Sequence, residues 1–351
     1  MPSDSTLTLF IPDLFGFQST LSKLSSDEIS QLPEIKIPTL ERWLSRGLFE
    51  NSSDQIDSVF ADLGFGEYQN QDKPYAALSL LAENNLDNDF NSGSFWLRAD
   101  PVNLQADRDT ALLVAHEEIA LTQEEANKLV AQINEHFIDE PWQLYTFAPH
   151  RWYLRLDKRS DLKTTPLDKV LGGDISAFSP IGDDADYWFN IINELQMLIH
   201  GSNVNFERES KNMITANSVW LWGAGYLPEV KLEPSYNKMI TNNIIFSGLG
   251  YHCDFEVLPL DSTFVEKIKT NNNFVVLDML SEQLQRRDLY TFVQELNKLE
   301  ENYFLGCDEL LTSGNIDKIK LITDAGTLIV TKKMLGRWWK RSKSFTGFNY
   351  E

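Results

Sequence analysis

The chain has 351 residues, 42% hydrophobic and 12% aromatic, enough for two domains or for one large domain carrying an insertion. Its 52 acidic and 31 basic side chains leave a formal charge of −21, a field that repels phosphate backbones and disfavours general nucleic-acid binding. No apolar run reaches membrane-spanning length and no basic region precedes the first apolar stretch. Cys253 and Cys307 alone make neither a disulfide framework nor a thiolate metal cluster, so the composition points to a cytoplasmic protein without a membrane role.

Thr6 to Ile11 alternates like a first strand and ends in Pro12-Asp13. Side chains just past the carboxyl end of such a strand line the ligand crevice of open α/β sheets, which offers Asp13 to a metal or ligand. Capping the following turn is an equal use for that carboxylate. Ile37 to Gly47 predicts a short helix with Pro38 at its start and Gly47 just past its end. Ser53 and Asp54 then precede Ile56, Val59 and Phe60, which recur at helical spacing and make Ser53 a candidate N-cap.

Phe95 to Val102 reads as a strand entering a loop with Arg98 and Asp100. Arg98 suits bidentate grip on a phosphate or carboxylate, or pairing with Asp100 or Asp107. Thr122 to Glu125 is a capping box, followed by Ala126, Leu129, Val130, Ile133 and Phe137 at helical spacing. Trp142 to Phe147 and Trp152 to Leu156 read as two strands, so residues 95–180 suggest an α+β lobe. Asp183 opens an amphipathic helix ending at His200, where a cation suits the helix dipole. Ser218 to Trp222 is a β-branched, doubly aromatic strand that runs into Gly223-Ala224-Gly225, where the backbone turns or approaches a neighbour closely.

Ile244 to Gly250, Phe274 to Asp278 and Ile319 to Asp324 read as further buried strands, with a helix from Asp288 to Leu299. Strands alternating with helices predict an α/β fold with a mainly parallel sheet covered on both faces. The last stretch, Lys332 to Lys343, mixes cations with Trp338 and Trp339. It suits an acidic partner or a nucleic-acid end, or else a terminal helix whose tryptophans pack inward, the commoner arrangement.

Several of these segments resemble the alkaline-phosphatase superfamily, and within it the cofactor-independent phosphoglycerate mutases of archaeal type. Pro38-Thr39-Leu40-Glu41-Arg42-Trp43 is similar to their Thr-Pro-Asn-Leu-Asp-Arg-Leu segment, and Ser53-Asp54 ahead of Leu63-Gly64-Phe65 to their Ser-Asp before Leu-Gly-Tyr. Arg98-Ala99-Asp100 partly matches an Arg-Ala-Asn signature. Asn205, Arg208 and Asn217 ahead of Gly223-Ala224-Gly225 fall on the polar positions of the most specific shared run. The resemblance implies a core of residues 1–94 and 181–351 with an inserted α+β lobe at 95–180. It implies Ser53 (or Ser52) as a phosphoryl-accepting nucleophile, and ligand contacts from Arg98, Asp100, Asn205, Arg208 and Asn217.

It also implies two metal ions at the carboxyl ends of the strands, held by Asp and His residues, and there the chain departs from the pattern. The Thr-Ala-Asp-His ending becomes Thr323-Asp324-Ala325-Gly326, and Met279 to Asp288 contains no histidine or glycine. The five histidines, at 116, 136, 150, 200 and 252, miss the matching strand ends. Asp13 and Asp324, with Ser53, make at most a weak oxygen-ligand site of Mg or Mn type, so no cofactor is expected. The expectation is therefore a mutase-like scaffold without the metal pair, acting as a binding or regulatory protein. Its partner would be a protein or a small phosphorylated ligand. The alternatives are a metal-dependent phosphomutase or phosphatase using Ser53, and an interaction module working through the tail at 332–343.

Overall fold

A computed structural model describes residues 5–21, 24–51, 55–65, 72–83, 93–107, 110–114, 116–170, 175–227, 229, 236–268, 272–341 and 344–348. In chain order the strands are β1 (Thr6–Ile11), β2 (Leu48–Asn51), β3 (Phe95–Asp107), β4 (Thr110–Val114), β5 (Trp142–Ala148) and β6 (Arg151–Leu156). They continue as β7 (Ser218–Gly225), β8 (Lys238–Ile240), β9 (Glu256–Leu258), β10 (Asn273–Val276), β11 (Lys318–Thr323) and β12 (Gly326–Thr331). The chain divides into two compact units, residues 1–70 with 230–351, and residues 71–229.

The first unit is built on a seven-stranded sheet in the order β2-β12-β11-β1-β10-β8-β9. β11, β1, β10, β8 and β9 run parallel, and β12 and β2 close one edge antiparallel. β1 is central, so both its faces are covered. Leu7, Leu9 and Ile11 enter a core with Trp43, Phe292 and Phe304, while Phe10 on the other face meets Phe246 at 5.4 Å. The Pro38–Arg46 helix receives its N-terminal caps from afar: the buried Glu300 carboxylate accepts from Thr39 N (2.8 Å) and Leu40 N (3.3 Å). A carboxylate there complements the positive end of the helix dipole.

Ile244 to Gly250, expected as a strand, is instead part of the Ile244–His252 helix. Asn243 explains the difference, because its Oδ1 accepts from Ile245 N and Phe246 N and satisfies two donors of the first turn. Gly250 lets that helix sit against β9, since a Cβ there would lie 2.7 Å from Val257 Cγ2. The tail differs from expectation as well. Its helix is only Lys332–Leu335, ending at Gly336, and Trp338 and Trp339 are 80% and 67% exposed rather than packed inward. The core contacts at this end of the chain come from Leu335, Phe345 and Phe348.

The second unit has a wholly antiparallel sheet, β4-β3-β6-β5 with β7 on the other side of β3. Its core gathers Leu97, Leu129, Trp152, Trp188 and Leu221. The Gln123–His136 helix starts with the expected capping box, Thr122 with Glu125. This unit extends beyond the expected limits of 95 and 180 on both sides. β7 pairs with β3 over Trp96 to Val102, and the Ala185–His200 helix inserts Trp188, Ile191, Leu195 and Ile199 into the same core. Gly223 on β7 has φ +66°, and a Cβ there would lie 2.9 Å from Tyr75 Cβ. Its use is therefore close approach of the Tyr75–Glu83 helix, within the unit.

Candidate functional site

Three parallel neighbours, β11, β1 and β10, deliver carboxylates just past their carboxyl ends: Asp324, Asp13 and Asp278. Asp13 stands in the left-handed backbone region, φ 59°, which an aspartate tolerates better than most residues. The turn that it begins points Phe15 N at Asp324 Oδ1, 2.9 Å away. Asp324 thus caps the backbone entering the Gly16–Leu21 helix. Burial pushes its carboxyl up to about 6, the Phe15 N–H holds it back, and the nearby Asp13 charge adds to the rise. Asp278 accepts from Asn243 Nδ2 at 2.8 Å.

Asp324 joins an aromatic cluster through the backbone of Phe15. Phe15, whose N–H it binds, stacks on Phe345 (5.4 Å) and Phe348 (5.7 Å) and meets Phe49 edge-on (6.3 Å). β11 turns straight into β12, with Thr323 paired to Gly326 and Ala325 in the turn. Among the described residues no three His, Cys, Asp or Glu side chains gather to hold a metal ion. Asp13 and Asp324 are brought together, but one of them is already engaged by backbone. Among the described residues, Asp13, Asp278 and Asp324, the last two already accepting hydrogen bonds within the chain, are fewer ligands than a divalent metal pair needs. Ser53, like Ser52 and Asp54, lies outside the described residues. Neither thiol offers a nucleophile, because burial pushes both up, Cys253 to about 12.

The candidate ligand contacts of the second unit are spent on its own architecture. Arg98 is 4% exposed, and its guanidinium donates to Asp100 through Nε (3.0 Å) and Nη2 (2.7 and 2.8 Å). It lies between the rings of Tyr153 and Trp222, 5.0 Å from each centroid, while Trp222 Nε1 donates to Asp100 Oδ2 (2.8 Å). The pair engages Nε and Nη2, while Nη1 has a 3.5 Å approach to Ser79 Oγ and the whole guanidinium is buried. The sequence reading placed Arg98 beside Asp100 but not Tyr153 and Trp222, which the cross-strand register of β6 and β7 with β3 brings to it.

Arg208, 1% exposed, donates through Nη1 to both oxygens of Glu125 (2.9 Å each) and through Nε to Ile214 O (2.9 Å), and also reaches Ile119 O. Asn205 Nδ2 donates to Ile199 O (2.8 Å) and Ala216 O (2.6 Å). Asn217 bridges β3, accepting from Leu104 N (2.7 Å) and donating to Leu104 O (3.0 Å). These three side chains tie the Asn203–Ser210 helix and the start of β7 to the Gln123–His136 helix and β3.

The first unit is an α/β fold on a mainly parallel sheet, with carboxylates just past three of its strand ends. A solved structure, the PH0037 protein from Pyrococcus horikoshii, shares the fold with a TM-score of 0.57 and 11% identity, covering 94% of this chain and 88% of that one. In sequence, the chain is 23% identical over 162 residues to the 2,3-bisphosphoglycerate-independent phosphoglycerate mutase of Methanosarcina mazei, 42% of this chain and 41% of that protein. It is 22% identical over 271 residues to a probable enzyme of the same name from Geobacter sulfurreducens, 75% of this chain and 64% of that protein. The chain thus spans about two fifths of the length of the Methanosarcina relative. No family model matches it. The chain is thus similar, over part of its length, to proteins named as 2,3-bisphosphoglycerate-independent phosphoglycerate mutases.

Proposed function

We propose that the chain is a phosphoglycerate-mutase-like protein without phosphoryl-transfer activity, acting as a binding or regulatory protein for a protein or small phosphorylated ligand. The observation that carries this reading is the use of Asp324. The resemblance implies a Thr-Ala-Asp-His ending whose last two residues hold metal, whereas Thr323-Asp324-Ala325-Gly326 keeps one carboxylate and no imidazole, and that carboxylate accepts the Phe15 N–H. A two-metal mechanism relies on ligands that fix both ions, polarise the phosphoryl oxygens and activate the nucleophile. Arg98, whose guanidinium would orient a phosphate, is held by Asp100.

The rival reading rests on one observation, the approach of Asp13 to Asp324 with a carboxyl raised to about 6, since perturbed carboxylates cluster at catalytic sites. In that reading Ser53 is the nucleophile and Mg or Mn the activating ion. Assay of phosphotransfer on phosphoglycerates and of phosphatase activity, with added Mn or Mg, separates the two. The expected result is no turnover above buffer and an unchanged trace for Ser53→Ala. Metal-dependent turnover that disappears in Ser53→Ala would establish the enzyme instead.

A further inference from the structure

We propose that the tryptophan–cation segment at residues 332–341 docks on the outer face of the Ala185–His200 and Asn203–Ser210 helices of a second copy of this chain. The two surfaces are complementary in kind. Residues 332–341 carry five cations and no carboxylate, in a chain whose net charge is −21. Lys332, Lys333, Lys340 and Arg341 are exposed. Trp338 and Trp339 stand beside them as an edge-to-face pair, centroids 6.2 Å apart, 80% and 67% exposed. Tryptophan with arginine is the usual composition of a binding hot spot, and exposed ring pairs of this size mark interaction surfaces.

The receiving face is apolar and acidic. The Ala185–His200 helix buries Trp188, Ile191, Leu195 and Ile199 in its own unit, yet it also presents Phe189 (62% exposed) and Met197 (71%) two turns apart. Phe206, 56% exposed, stands on the helix that follows. A surface helix with one packed stripe normally keeps the opposite side polar, so this second apolar row is unaccounted for by the fold. Residues 183–210 hold six carboxylates. Asp184 accepts from Ser160 Oγ and Glu194 lies 2.7 Å from His136 Nε2, while Asp183, Asp186, Glu207 and Glu209 are exposed. The one arginine, Arg208, is buried against Glu125. Each surface thus supplies the charge that the other lacks, around apolar groups that both expose.

Charge selects the occupant. An extended polyanion, whether nucleic acid or an anionic membrane, would meet the repulsion of the whole acidic chain as well as the attraction of one segment. A second copy brings a discrete anionic and apolar face at the same concentration. The contact is between unlike surfaces, and two of them related by a two-fold axis close a dimer.

The test is the mass of the full chain in solution by sedimentation, with a charge exchange. Wild type is expected to dimerise at low salt and to weaken at least about tenfold at high salt. Lys340→Glu/Arg341→Glu and Asp186→Lys/Glu207→Lys should each be monomeric alone, with the far-UV spectrum of the folded wild type. An equimolar mixture of the two should regain the dimer, because both contacts are then restored. A monomeric wild type at all concentrations overturns the proposal, as does a dimer indifferent to either variant or a mixture that stays monomeric. Tail-dependent binding of phosphatidylserine vesicles or of a single-stranded oligonucleotide by a monomeric wild type overturns it as well.

Discussion

At the scale of single residues, the buried charges do structural work that is measurable without knowing a ligand. Arg98 and Asp100 are held by each other and by two aromatic rings, so removing one partner leaves an uncompensated charge in the interior. Arg98→Ala is expected to cost roughly 3–5 kcal/mol in denaturant unfolding. Asp324 gives a pH dependence whose sign follows from its raised carboxyl, about 6 when folded against an ordinary 3.8. The folded state holds that proton more tightly, so the stability associated with it is present below pH 4 and falls away as pH rises from about 4 to about 6. Asp324→Asn keeps an acceptor for Phe15 N and removes the charge. It should flatten that fall and raise stability at pH 7 by about 1–2 kcal/mol, after discounting for solvent screening. Melting followed across pH 4 to 7 checks both statements. The contact of Arg98 with Asp100 was readable from their spacing on one strand. The rings of Tyr153 and Trp222 were not, because cross-strand neighbours depend on a register that no local pattern fixes.

Among the elements, caps and close approaches decide what forms. The Ile244–His252 helix was misread as a strand because Ile244, Ile245 and Phe246 are strand-favouring residues, whereas the Asn243 cap and tertiary packing prevail. Asn243→Ala should therefore destabilise the protein by about 1 kcal/mol, with an additional loss from its bond to Asp278. Gly223→Ala places a Cβ in a left-handed position against Tyr75, and a cost of about 1–3 kcal/mol is expected in thermal or denaturant unfolding. The capping box at Thr122 and the helix opening at Pro38 were legible, since both signals are local. The exposure of Trp338 and Trp339 was not, because periodicity cannot tell a buried tryptophan from one kept for a partner.

For the molecule as a whole, strands alternating with helices announced a parallel sheet, and five neighbouring parallel strands, out to the β9 edge, make up most of the seven-stranded sheet. The limits of the second unit were less legible, because β7 joins β3 from more than a hundred residues away. The lack of a histidine beside Asp324 was plain in the sequence, but the service of Asp324 to the Phe15 N–H emerged only from the turn after β1. Both bear on whether the carboxyl ends of β1 and β11 grip a divalent ion. The direct measurement is metal content per chain after purification without chelator and equilibration with Mn, on wild type beside Asp324→Asn. The expected result is no stoichiometric metal in either protein; two ions per wild-type chain, lost on substitution of Asp324, would contradict the account.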